Sequence, residues 1–414
     1  MYSCSYFEEE EIILEGKREK IFVSEEKRLV KSLIKVTLPK PKSIEDWPQK
    51  GQNNSNHLFH FLSGEKLKKK WKVKVGKGEG ARSPYISSPV IYKKNIFTVD
   101  NNYKVQSRDS ISGKLNWTIE LKEESVEKIN FFGGLAAFDD FLFITTGLGN
   151  LYSIDYKTGK VLWKKNLLAQ ISSSSTIFNK KIFTITDDNQ LLVNDMISGD
   201  SIWSHTGNLE NVSIIGGVSP AIKNGSVYVT YSSGEIFALN ESNGSIQWYE
   251  NLTVSNLFNE GLISDIQSPP VIIDNDLLVS SVSGIFASFN LIDGQRNWEL
   301  DFSTVNPISV SGQYIFMLET SNKLYCINKN NGKIAWAVQL KKNIKKKPVT
   351  WVGPILSSYR LILASSDGSI LALSPYNGET LSLIRENESF TIQPIQAGKM
   401  IYLVSKEGEL LTFE

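Results

Sequence analysis

Seven times in this 414-residue chain a small polar residue and a glycine stand just ahead of a tryptophan or its stand-in, with four residues from glycine to ring. The units read Ser112-Gly113 to Trp117, Thr158-Gly159 to Trp163, Ser198-Gly199 to Trp203 and Asn243-Gly244 to Trp248. Asp293-Gly294 to Trp298 and Asn331-Gly332 to Trp336 follow, and a degenerate Asn377-Gly378 has Ser382 in the aromatic position. Successive glycines lie 38 to 50 residues apart. That period suits four-stranded propeller blades and is too long for leucine-rich or helical-pair repeats.

Within each unit, short apolar runs are split by turn residues in a constant order. Asn95-Ile96-Phe97-Thr98-Val99 and the turn Asp100-Asn101-Asn102 correspond to Ser226-Val227-Tyr228-Val229 and Ser232-Ser233-Gly234. Asn- and Gly-rich turns supply the positive φ that tight hairpins need, and β-branched and aromatic residues suit a half-buried pleated surface. The glycine therefore has a backbone role and the tryptophan a packing role between blades. Eight bodies are counted, at 88–117, 131–163, 174–203, 219–248, 268–298, 307–336, 353–382 and 393–414. The eighth lacks a fourth strand, while Trp71-Lys72-Val73-Lys74-Val75 has the character of a fourth strand with no blade of its own. Pairing the two removes an exposed sheet edge. The predicted fold is all-β, an eight-bladed propeller of four-stranded antiparallel blades, closed by an N-terminal strand near Trp71. Its domain spans 63–414, after an extended tether over 1–62.

Charge and motifs narrow the function. The formal net charge is +1, so no overall field draws the chain to nucleic acid. The basic runs Lys66 to Lys70 and Lys341 to Lys347 lack interleaved aromatic platforms and read as solvated rim. No run of 18 apolar residues exists to span a membrane. The three histidines, His57, His60 and His205, form no metal-ligand spacing with cysteine, and no nucleophile elbow or phosphate-binding glycine loop stands between a strand and a helix. No catalytic, cofactor-binding or metal residue is assigned, and no cofactor is expected. Cys326, in Leu324-Tyr325-Cys326-Ile327, reads as a buried thiol. Two rival classes share the repeat: a pyrroloquinoline-quinone dehydrogenase, which needs a cation site and basic groups for an anionic cofactor, and a cytoplasmic propeller scaffold.

The N-terminus carries another signal. Met1-Tyr2-Ser3-Cys4-Ser5 places a cysteine after a small residue, as at the acylation site of a bacterial lipoprotein, and a polar stretch with Leu38-Pro39-Lys40-Pro41-Lys42 follows. The basic and apolar parts of an export signal do not precede Cys4. Two readings stand: a chain beginning inside its own signal, or an incidental cysteine.

The phrases Cys4-Ser5-Tyr6-Phe7, Leu14-Glu15-Gly16-Lys17-Arg18-Glu19-Lys20-Ile21 and Asp46-Trp47-Pro48-Gln49-Lys50-Gly51 with Asn56-His57, followed by the glycine-to-tryptophan repeats, resemble the BamB family, propeller lipoproteins of the β-barrel assembly machinery. The likeness is greatest to its alphaproteobacterial branch, with Glu15 and Lys17 departing from that branch's Pro and Glu. The resemblance implies a lipid anchor at Cys4, a location at the periplasmic face of the outer membrane, and a non-catalytic role in folding and inserting outer-membrane proteins. It implies docking on the periplasmic domains of BamA, with other assembly-machinery lipoproteins as partners and unfolded outer-membrane proteins as further candidates. Contact with the membrane would be through the anchor only. The family's contact residues fall on Val212, Ile214 and Ile215, where Ile215 replaces an arginine, and on Asp265 and Gln267, where the second carboxylate has become an amide. Independently, the segments 204–218 and 249–267 join neighbouring bodies on one side of the ring, where long connections carry binding.

Overall fold

Short alternating runs bounded by Gly, Asn and Asp turns give strands of two to seven residues. In the computed structural model, which describes residues 35–79, 87–123, 132–209, 217–252, 265–341, 343–344 and 347–414, they assemble into eight four-stranded antiparallel sheets and one small hairpin. No helix occurs among the described residues. Blades 1 to 7 occupy 90–120, 132–166, 176–206, 221–251, 271–300, 309–339 and 351–385, each ordered from the axis outward as the chain runs. Blade 8 takes its three inner strands from 395–413 and its outer strand from Lys69–Lys74, with Trp71 opposite Thr412 and Val73 opposite Leu410. The predicted closure through Trp71 is thus present. Burial follows position. Inner strands such as Val271–Ile273 are wholly buried between blades, whereas outer strands such as Leu115–Glu120 alternate between exposed and half-buried residues.

The repeat glycine and tryptophan meet across every seam but one. Gly113, Gly159, Gly199, Gly244, Gly294, Gly332 and Gly378 each lie beneath the indole of the preceding blade, in order Trp71, Trp117, Trp163, Trp203, Trp248, Trp298 and Trp336. At Gly244 a Cβ would sit 2.6 Å from Trp203 Cε3, and φ is +74°, so both space and backbone exclude a side chain. The indole Nε1–H donates to a carbonyl of the next blade: Trp71 to Ile111 at 2.6 Å, Trp117 to Tyr156 at 3.0 Å, Trp203 to Glu241 at 3.2 Å, Trp248 to Leu291 at 2.9 Å, Trp298 to Lys329 at 2.7 Å and Trp336 to Pro375 at 3.0 Å. Only Trp163 Nε1 in this series lacks a partner.

The exception explains Ser382. Its strand, Thr380–Arg385, faces blade 8, whose third and fourth strands come from opposite ends of the chain and share no turn. With no turn glycine there, an indole has nothing to cover. Ion pairs bridge that seam instead: Lys69 to Glu386 at 2.6 Å, and Lys72 to Glu388.

The N-terminal segment departs from expectation. An inner strand has no neighbour on its axial edge, so its inward N–H groups need acceptors. Residues 42–62 supply them as a girdle around the axis. Trp47 exchanges backbone hydrogen bonds with Ile91 of blade 1 at 2.7 and 2.8 Å, and Ala137 of blade 2 donates to Pro48 O at 2.8 Å. Ile177 N of blade 3 donates to Gln49 Oε1 at 3.4 Å. Ile222 of blade 4 donates to Asn54 O at 2.6 Å, Ile272 of blade 5 to Ser55 O at 2.9 Å and Val310 of blade 6 to Leu58 O at 2.8 Å. Phe61 pairs with Leu356 and Ser358 of blade 7, and Gln396 Nε2 of blade 8 donates to Leu62 O at 2.7 Å. Trp47, Leu58 and Phe61 are fully buried. The expectation of an extended tether through residue 62 is therefore corrected: the chain packs on the propeller from Lys35 and Val36 onward, and residues 42–62 are held by apolar burial and by at least one hydrogen bond to each blade. The girdle lies on the side of the glycine turns, opposite the crossings between blades.

His60 locks one edge of the girdle. It is buried, its Nδ1–H donates to Pro39 O at 2.8 Å, and its Nε2 accepts from the Tyr359 N–H at 2.9 Å. Only the neutral tautomer satisfies both bonds. Burial lowers its pKa below the ordinary 6.5, against a raising effect of the Pro39 carbonyl, and His57 and His205 shift the same way.

Two outcomes follow from this architecture. Gly225 has the same left-handed φ of +76° but open space around it, so Gly225→Ala should cost only the backbone term of about 1–2 kcal/mol. Gly244→Ala should cost a further ~1–3 kcal/mol for overpacking against Trp203, read from urea unfolding; equal losses would show that the indole yields freely. Because the depressed His60 pKa means that the unfolded chain takes up protons first, stability should be complete above about pH 6.5 and fall as the pH drops below it. The thermal midpoint of His60→Gln should depend less on pH over that range than that of the unsubstituted chain.

Candidate partner-binding site

At the crossing end of the ring, the turns between second and third strands of blades 3 and 4 meet the segments that enter blades 4 and 5. They enclose a cavity of about 390 Å³, within the size range of ligand sites. Blade 3 supplies Thr186, Asp187, Asp188 and Asn189, blade 4 supplies Thr230, Tyr231 and Ser232, and the entry segments supply Ser172, Gly217 and Asp265 to Gln267. Among the described residues its lining contains three carboxylates and no lysine, arginine or histidine.

The polar groups are held by short-range turn chemistry. Asp187 Oδ1 accepts from Ser172 N at 3.0 Å and Ser172 Oγ at 2.5 Å, and Ser172 Oγ accepts from Gly217 N at 2.8 Å. Asn189, at a left-handed φ of 59°, ties the two turns together by accepting from Ser232 N and Oγ at 3.1 and 2.9 Å. Tyr231 is buried against His205, whose Nδ1 lies 2.9 Å from the phenol oxygen. Burial raises the Asp187 carboxyl above its usual range, opposed by the Ser172 hydrogen bonds and reinforced by Asp188. Thr230, 1 % exposed, has a hydroxyl with no hydrogen-bond partner.

Of the residues singled out from sequence, Asp265 and Gln267 both line this cavity. Asp265 is 1 % exposed and its carbonyl accepts from Val282 N at 2.8 Å, so it belongs to the cavity wall and not to an open rim. Gln267 is half-buried. Val212, Ile214, Ile215 and Cys4 lie outside the described residues. Sequence reasoning did not find Asp187, Ser172 or Thr230. Asp187-Asp188-Asn189 looked like an ordinary hairpin turn, and only the ring brings it to Asp265. Cys326 is buried, and burial pushes its thiol pKa up, as expected for an inert core residue.

Eight blades, seven of them docked on a neighbour through a tryptophan, with an acidic cavity at the crossing end define a propeller of the quinoprotein-repeat class. Residues 124–338 and 318–382 match the family of the outer membrane protein assembly factor BamB, and the chain belongs to that family. BamB of Shewanella oneidensis is 23% identical over 351 residues, covering 82% of this chain and 87% of its own. BamB of Escherichia coli is 20% identical over 344 residues, covering 82% and 86%. An uncharacterized protein of Rickettsia prowazekii is 26% identical over 286 residues, covering 67% and 68%. Among solved structures, BamB from Moraxella catarrhalis aligns with a TM-score of 0.71 at 19% identity, over 84% of this chain and 100% of that one. A quinohemoprotein alcohol dehydrogenase from Comamonas testosteroni also reaches 0.71, at 13% identity over 89% and 80%. Those likenesses concern the fold.

The orphaned Thr230 hydroxyl is a local stability cost. Thr230→Val, which keeps the shape and removes the unsatisfied group, should raise unfolding free energy by about 1 kcal/mol, measured by chemical denaturation. A loss of stability would show that the hydroxyl is satisfied in solution.

Proposed function

We propose that this protein is an outer-membrane protein assembly factor, a non-catalytic scaffold of the β-barrel assembly machinery that docks on the periplasmic domains of BamA. The observation that carries the proposal is the family match across blades 2 to 7. The presence of Asp265 and Gln267, two residues aligned with the family's contact surface, in the wall of a single cavity supports docking at the crossing end. Val212, Ile214 and Ile215 belong to the segment between the exposed Leu209 and the cavity residue Gly217, and we assign them the apolar part of the same contact. In this reading Cys4 carries the lipid, and the propeller works at the periplasmic face of the outer membrane.

The test uses the full chain and the periplasmic domains of its cognate BamA. Burying a branched aliphatic side chain is worth about 1.5–3 kcal/mol, so Ile214→Asp with Ile215→Asp should weaken binding at least about tenfold. Ile197→Asp with Ile292→Asp is the matched control, because both residues are exposed on turns of the opposite end. If the first pair remains folded by circular dichroism and binds as tightly as the control, the contact lies elsewhere. Co-purification of assembly-machinery components with the tagged chain from solubilised membranes tests the wider role, and recovery of none of them would refute it.

A further inference from the structure

We propose that the strand Lys69–Lys74 is an ionic latch: the ring opens first where this strand meets the last strand of the chain, and the lysines that hold it make the opening sensitive to salt. The inference is independent of the docking reading.

Connectivity singles the strand out. The outer strands of blades 1 to 7 each follow their sheet neighbour through a hairpin turn. Lys69–Lys74 pairs with Glu409–Phe413 from the other end of the chain, with no turn between them and a shift of register between Lys69 and Trp71. Nothing covalent nearby therefore holds the two strands side by side. On its blade 1 side the strand is secured by Trp71, whose indole donates to Ile111 O at 2.6 Å and covers Gly113. Blade 7 offers no such anchor, because Thr380 to Leu383 of its outer strand, Ser382 included, are exposed. A separation thus leaves the strand with blade 1 and falls between it and Glu409–Phe413.

Charge takes the place of the missing turn and indole. All four lysines of the strand are ion-paired: Lys69 with Glu386 at 2.6 Å, Lys70 with Glu414 at 2.7 Å, Lys72 with Glu388, and Lys74 with Glu409 at 3.7 Å. Among the described residues no other strand has more than two ion-paired basic side chains. In each pair the carboxylate is more covered than the ammonium group. Release of the strand would leave four carboxylates along one border of the ring with their counter-charges withdrawn. No residue of the strand is fully buried, so apolar packing contributes less here than at the inner strands. Four partly exposed pairs acting on one strand are screened together by salt.

Ser201–Thr206 is the internal standard. It has the same alternation of exposed and half-buried residues and pairs with its neighbour at five positions, as the latch does. It differs in having a hairpin turn, a clamped Trp203 and no ion pair among the described residues.

Hydrogen–deuterium exchange on the full chain, read by mass spectrometry, compares the two strands between about 0.02 M and about 0.5 M sodium chloride, over which the screening length falls from roughly 20 Å to roughly 4 Å. Exchange of 69–74 should be faster than that of 201–206 and should accelerate at least about fivefold with salt, while 201–206 changes less than about twofold. Lys69→Gln with Lys72→Gln should raise exchange of 69–74 at low salt and flatten its response to salt. If that variant does not fold, the salt series on the unsubstituted chain still decides. Slower exchange of 69–74 than of 201–206 throughout, or an equal response of both strands to salt, overturns the latch, as does a folded double variant whose salt response is undiminished.

Discussion

The contact between an indole and a glycine across each seam is the constraint on which the ring depends. Blades are joined covalently only through single crossings, so lateral cohesion must come from faces that fit. The tryptophan of one blade meets a surface that only a glycine can present, and at six of the seven seams with this contact its N–H reaches a carbonyl just before that glycine. Apolar contact and hydrogen bond are both satisfied by one side chain, which at every one of these seams except that of Trp163 leaves no buried indole donor to penalise the packing. The large inner residues, Phe97, Phe183, Phe286 and Phe316 among them, then fill the wedge between blades behind each indole.

The seam between blades 7 and 8 shows what happens when that contact has no partner. Ser382 replaces the ring, and lysines of the closing strand reach glutamates beyond the blade 7 edge. The Glu386 and Glu388 side chains are mostly covered while their lysines are substantially exposed. Such pairs contribute less than an indole clamp and respond to ionic strength. This closing seam therefore differs chemically from the others, although its strands pair as theirs do.

Much of this was legible in the order of residues. The glycine-to-tryptophan repeat fixes the blade count, and the stray strand at Trp71 fixes the closure, because both depend on local patterns repeated along the chain. The girdle was not legible. Trp47, Leu58 and Phe61 contribute one anchor each with no period, and the backbone bonds they accompany leave no mark in composition. The cavity was half legible. Asp265 and Gln267 were found through family likeness, but Asp187 sits in a turn whose chemistry resembles every other turn of the ring, and Thr230 ends a strand that resembles every other second strand. Their meeting is a product of ring curvature, which no single blade encodes.

The girdle also places a condition on assembly. Residues 42–62 leave the ribosome before any blade exists, yet their hydrogen-bond partners lie on all eight blades in chain order, from Ile91 to Gln396. These are contacts of long sequence separation, whose loop entropy must be met before they stabilise anything. The first segment to be made is thus among the last to be seated, and its seating registers that every blade is present and in position. A ring missing one blade would leave this belt a rung short, so the N-terminal segment serves as a count of the blades as well as a cover for the axis.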